Sequence, residues 1–189
     1  MNRDNVRGVT LIEMLVTLSI LAILAGLAGP GMDLVRNEQV AGVAKELVAD
    51  IQRQRLDAMT GNSGKGFGIR FEASGTYVRF RFDDCNDDYT YDADGCEGRE
   101  EEGEAVKTVL PGTILLKKSD GSDFRNDVLI FDRRGTPRRN TWGFGNMTII
   151  VNHASGMGVS KCIAVSMYRI RSGIWKWNDR SGRYDCFKD

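Results

Sequence analysis

"RGVTLIEMLVTLSILAILAGLAGP", residues 7 to 30, is the stretch on which the reading of this chain turns. From Val9 to Gly29 there are 21 residues, and Glu13 is the one charged residue among them. At about 1.5 Å per residue, a helix of that length spans about 30 Å, the thickness of a bilayer core. Leu, Ile, Val, Met and Ala dominate the run and support a helix. A carboxylate inside hydrocarbon costs about 2.5–3.5 kcal/mol on insertion scales, so Glu13 needs a reason. A secretory signal peptide, with Ala25-Gly26-Leu27-Ala28 as its small-residue cleavage site, leaves that reason unstated. So does a plain N-terminal anchor. A carboxylate that merely reaches the interface from the helix start is the plainest alternative.

The motif "G-V-T-L-I-E-M-L-V-T-L-S-I-L-A-I-L", preceded by a short leader with Arg3 and Arg7, resembles the signal of type IV prepilins and pseudopilins. The resemblance implies a leader of residues 1–8, basic and therefore cytoplasmic. It implies cleavage by a prepilin peptidase between Gly8 and Val9, with N-methylation of Val9. Glu13 is then the fifth mature residue and Pro30 the twenty-second, where many members of the family carry a helix-kinking proline. Val9 departs from the commoner Phe or Met. In a filament the amine of one subunit would meet Glu13 of its neighbour, so that each buried charge has an opposite partner. The implied layout is a membrane-spanning and filament-core helix over 9–29, an amphipathic continuation over 30–60, and a β-rich domain over 61–189.

From Asp33 to Met59, Val35, Val40, Val43, Ala44, Leu47, Val48, Ile51 and Met59 fall roughly at helical spacing. Lys45, Asp50, Arg53 and Arg55 make the polar face. Pro30, between Gly29 and Gly31, is expected to interrupt or kink the junction with the apolar run. Gly61-Asn62-Ser63-Gly64 reads as the helix end. "GFGIRF" (66–71) and "TYVRFRF" (76–82) alternate as strands around a turn at 72–75, with Val78, Phe80 and Phe82 on one face and Tyr77, Arg79 and Arg81 on the other. Further strands are expected at 105–110, 113–117, 128–132, 147–152, 161–166 and 168–177. One long helix followed by a run of strands argues for an α+β fold with an antiparallel sheet.

Formal net charge is zero, so the whole chain has no nucleic-acid footprint. Residues 83–104 hold eleven acids and one Arg and read as a loop. Its oxygen ligands, with Asp92, Asp94, Gly95 and Glu101 in partial EF-hand register from Thr90, leave calcium open as a cofactor; a solvated acidic loop is the plainer reading. Four cysteines in an exported domain suggest disulfides, and three pairings can be drawn. Sequence-local pairing, Cys85 with Cys96 and Cys162 with Cys186, is the expectation, with free or buried thiols as the alternative. No Cys spacing supports zinc or thioredoxin-type chemistry. The single histidine, His153, sits in a loop-like "NHASGMG", and no nucleophile elbow or P-loop occurs, so no enzyme is expected.

The second half adds a weaker resemblance, to the FimT/GspH-like members of the same family. It rests on "LIFDRRGTPR" (129–138), "NMTIIVN" and "KCIAVSMYRIRSG". Arg133, Arg134, Arg138 and Arg139 cluster in one segment. Arg169, Arg171, Lys176, Arg180, Arg183 and Lys188 interleave with Tyr168, Trp175, Trp177 and Tyr184 near the end. In some FimT-like subunits a GRxR motif binds DNA; here Tyr168-Arg169-Ile170-Arg171 lacks the Gly, and Gly182-Arg183 lacks the second Arg. Exposed strand faces also show Arg at alternate positions. The resemblance thus implies a structural minor pilin or pseudopilin that primes or caps a type IV pilus or a type II secretion pseudopilus. Its partners would be other minor subunits, the major subunit, the prepilin peptidase and the inner membrane, which it crosses once with its domain in the periplasm. The second reading is a DNA-capturing subunit using Arg169, Arg171 and Arg183.

Overall fold

A computed structural model of the chain describes residues 9–61, 64–72, 75–84, 88–91, 105–139 and 145–188, with the side chains of 27–31 outside that set. Among the described residues, one helix, α1 (Leu11–Thr60), is followed by ten strands in two five-stranded antiparallel sheets. The first sheet contains β1 (Lys65–Phe71), β2 (Thr76–Asp83), β3 (Val106–Val109), β5 (Asp127–Phe131) and β6 (Pro137–Arg139), in the order β3-β2-β1-β5-β6. The second contains β4 (Ile114–Lys118), β7 (Met147–His153), β8 (Lys161–Val165), β9 (Ile170–Asn178) and β10 (Arg183–Lys188), in the order β10-β9-β8-β7-β4. The α+β class expected from the sequence is therefore the observed one, with two sheets in place of one.

Pro30 does not end the helix, which runs on to Thr60. A proline removes one i→i−4 bond and leaves the ladder on either side of it intact. Thr10 caps the start, its hydroxyl accepting from the Glu13 N–H at 3.3 Å. At the far end the Gly61 N–H donates to the Asp57 carbonyl.

The helix buries one stripe of its C-terminal half. Val40, Val43, Ala44, Leu47, Ile51 and Ala58 are buried, and they share one core with Ile69, Phe71, Leu129 and Phe131 of the first sheet and Ile149, Val151, Ile163 and Val165 of the second. Both sheets thus close on the same helix face. Val35 and Met59, read as part of the stripe, are instead exposed. At 100° per residue each lies roughly a quarter turn or more from Leu47 and Ile51, outside the covered arc. Gln54, in line with the stripe, is buried. Turned with its nitrogen toward the sheet, its amide donates to the carbonyls of Gly68 and Phe80 at 3.3 Å. Asp50, read on the polar face, instead meets β2: Tyr77 donates to it at 2.7 Å and Arg79 approaches it at 3.4 Å. Burial first, then the Asp50 carboxylate, push the Tyr77 phenol above its ordinary pKa.

The apolar face of β2 points away from the helix. Phe80 and Phe82 form a second core with Val128 and Ile130, covered by Tyr89 and Tyr91. Glycines make this packing work: Gly66 pairs with Phe82 and Gly68 with Phe80, so each ring has a bare backbone beneath it. Asp84, fully buried, accepts from the N–H groups of Asp88 and Tyr89 and so folds the cover back over the rings.

Two strands lie where the sequence predicts none. β6 lies in the Arg-rich segment and pairs with β5, and β10 lies in the tail and pairs with β9.

Candidate functional site

Two regions carry the residues singled out in the sequence. The first is the start of α1. Leu11, Ile12, Met14, Leu15, Leu18, Leu21 and Leu24 are all exposed, with none of the described residues of the domain covering them. An uncovered apolar helix surface of this kind needs a partner or a lipid phase. Among the described residues no helix is long and apolar enough to cross a membrane; residues 27–29 of the apolar run have side chains outside that set. Glu13 stands in the first helical turn, where the positive end of the helix dipole favours a carboxylate. Thr10-Leu11-Ile12-Glu13 also has the spacing of a capping box. That motif was legible in the sequence as a second reason for an acid here. Val9 is described and exposed, while Gly8 lies outside the described residues.

The loop after β7 grips the helix where this apolar half leaves the domain. The Val159 N–H donates to Asn37 Oδ1 at 2.8 Å, and Met157 sulfur lies 3.9 Å from Arg36. His153 closes the same loop through Ser155, at 2.7 Å between Nδ1 and Oγ.

The second region is the outer face of the second sheet. Cys162 and Cys186 are joined, with a Cα–Cα distance of 5.8 Å, so β10 is tied back to β8 across β9. The crossing passes over Gly173, whose missing side chain leaves space for the Phe187 carbonyl and the Cys186 sulfur. The Cys85 and Cys96 pairing lies outside the described residues, as do Asp92, Asp94, Gly95 and Glu101 of the calcium reading. Among the described residues no group of three or more His, Cys, Asp or Glu could hold a metal ion.

Period-two alternation puts Arg171, Trp175 and Trp177 of β9 on this outer face, and register adds Tyr184 opposite Trp177. Arg171 and Arg183 line one groove with these three rings. Arg169 does not line it. It sits in the β8–β9 turn, hydrogen-bonded to Ser166. The turn is at the opposite end of β9 from Arg183, on the order of 25 Å away at strand rise. Arg183 meets Asp185 at 3.3 Å. Hydrogen bonds from Asn178 first, then Ser181, hold the Asp185 carboxyl below its ordinary pKa. Of the other Arg cluster, Arg138 forms a forked contact with the buried Asp132 at 3.1 and 3.2 Å. The other Asp132 oxygen accepts from the N–H groups of Arg134 and Thr136. That cluster builds the β5–β6 turn.

A family model described as the prokaryotic N-terminal methylation motif matches residues 3–29. The pilin-like protein PilA1 of Thermus thermophilus is 30% identical over 135 residues, which cover 70% of this chain and 80% of that protein. No solved structure matches.

Proposed function

This chain belongs to the type IV pilin-like proteins, and from that premise we propose that it is a processed, membrane-anchored structural subunit without catalytic activity. In this reading residues 1–8 are a leader, the peptidase cuts between Gly8 and Val9, and Val9 is methylated. The apolar half of α1 anchors the subunit in the inner membrane before assembly and joins the filament core afterwards. Glu13 then pairs with the terminal amine of a neighbouring subunit. The β-rich domain faces the periplasm, in the manner of a FimT/GspH-like minor pilin or pseudopilin that primes or caps a filament. The observation that supports this most is the uncovered apolar surface of residues 11–24, continuous with a fully packed domain. The test is the N-terminal mass of the protein from envelopes with and without the peptidase. A chain starting at methylated Val9 is expected. An intact Met1, or a cut after Ala28, would overturn the reading.

DNA capture is the second reading. In its favour, Arg171 and Arg183 line one groove beside three aromatic rings. Its test is the double variant Arg171→Ala with Arg183→Ala, which should lower affinity for DNA and flatten its salt dependence. An unchanged salt slope would remove it.

A further inference from the structure

The groove on the outer face of the second sheet has features that filament assembly does not call for. Trp177 is 51% exposed and Tyr184 55%, although large aromatic side chains ordinarily bury most of their surface. The rings are held in a fixed array. Trp175 and Tyr184 stack at 19° with centroids 6.0 Å apart, and Trp177 meets Tyr184 edge-on at 5.4 Å. The disulfide and Gly173 pin the hairpin that carries them. The site is therefore organised before any ligand arrives.

The floor beside the rings is made of small residues. Ala164 pairs with Arg171, and Thr148 pairs with Ala164, so two strands next to the aromatic wall carry short side chains. The groove has a volume of about 840 Å³, within the ordinary range for ligand sites. Ser119, Thr148 and Ala164 also line a neighbouring groove, reaching Asn146 and Ser166, so the channel is elongated.

Charge decides what kind of chain fits. Among the described residues lining the aromatic groove, the cations are Arg171 and Arg183, and Arg183 already has Asp185. A nucleic-acid strand brings a phosphate at every residue and draws its affinity from many cations. This face offers aromatic planes, hydroxyls and few cations: beside Arg171, Arg183 meets Asp185, and the neighbouring groove adds Arg125 and a Lys118 that meets Asp127. That set matches a linear polymer of rings that carry C–H faces and hydroxyl groups.

We propose that this face binds an extended oligosaccharide. Sugar rings lie on Trp177 and Tyr184. Their hydroxyl or carbonyl oxygens accept from Arg171, and Thr148 and Ser119 hydrogen-bond along the floor. The proposal is independent of processing at Gly8 and of Glu13. Its failure would leave the filament reading standing, and the N-terminal mass tests that reading separately.

The experiment is isothermal titration of the full chain in detergent with three probes: chitohexaose, hexagalacturonate and a thymidine oligonucleotide of similar length. Saturable binding of one oligosaccharide is expected, tighter than about 1 mM. Trp177→Ala and Tyr184→Ala should each weaken it by about tenfold or more, while Trp177→Phe, which keeps a ring, stays within about threefold. Preference for the neutral N-acetylated chain is expected; preference for the acidic chain, which carries a charge on every ring as a nucleic acid does at every residue, would overturn the charge argument and with it the proposal. Each variant is first checked for the Cys162–Cys186 bond and an unchanged melting midpoint. Where Trp177→Ala does not fold, Tyr184→Ala carries the test. Binding of neither sugar, binding by both alanine variants as tight as by the unaltered chain, or tighter binding of the oligonucleotide than of either sugar would overturn the proposal.

Discussion

Gly173 and Asp132 carry more of this molecule than their size suggests. A Cβ at Gly173 would run into the Phe187 carbonyl, which is backbone and cannot swing aside. Gly173→Ala is therefore expected to cost about 1–3 kcal/mol and to slow formation of the neighbouring disulfide. Denaturant melts and thiol titration during refolding read both effects. Asp132 satisfies two backbone N–H groups and the Arg138 guanidinium from a buried position. Asp132→Ala leaves those donors without their acceptor and is expected to cost about 1–3 kcal/mol in urea denaturation. Neither role was legible in the sequence. The contact that defines Asp132 comes from Arg138 on the paired strand six residues on, which local pattern does not reveal.

The helix and the C-terminal hairpin differ in how far they could be read. The stripe from Val40 through Leu47 to Ile51 follows from helical spacing, and it is the stripe that is buried. Leu47→Ala is expected to cost about 2–5 kcal/mol, while Val35→Ala stays within about 0.5 kcal/mol in the same melt. The hairpin of β9 and β10 could not be read as such. "RYDCFK" has one strong apolar residue and charged ends, so no alternation stands out. Its strand character comes from pairing with β9 and from the bond between Cys186 and Cys162. Reduction, or Cys186→Ser, is expected to cost about 3 kcal/mol. Amide exchange should show the loss first in Arg183–Lys188, with the helix stripe protected longest.

For the molecule as a whole, the acid response follows from its exposed carboxylates. Glu72 is held below its usual pKa mainly by the hydrogen bond from Lys107, Asp120 by Ser122, and Asp185 by Asn178 and then Ser181. Groups with a depressed folded pKa stabilise the fold fully above their unfolded values, 4.5 for Glu72 and 3.8 for the two Asp. That stabilisation is lost as pH falls through the folded values below them. The urea midpoint should therefore be flat in these groups at neutral pH and decline in strong acid. Asp185→Asn should make the decline shallower. Assembly should separate from folding: Glu13→Ala is expected to abolish incorporation into filaments while the domain's melting midpoint is unchanged. Glu13 lies at the far end of the helix from the core, so nothing in the core depends on it.

What could be known from the residues alone were the features written in consecutive positions. The apolar run with its single acid, the methylation-type motif, the amphipathic stripe and the alternating strands 66–71 and 76–82 all depend on local periodicity, which the backbone geometry of helix and strand imposes. Partition of the strands into two sheets was not available in that way, because which strand pairs with which depends on loop closure and on the shared core. The same holds for the reversed β2, whose aromatic face turns away from the helix over Gly66 and Gly68. It holds too for the ring array of Trp175, Trp177 and Tyr184. Alternation alone sets two Trp on one face of β9. Only the β9–β10 register and the disulfide bring Tyr184 and a rigid groove to them, because contacts between distant residues exist only once the chain has closed on itself.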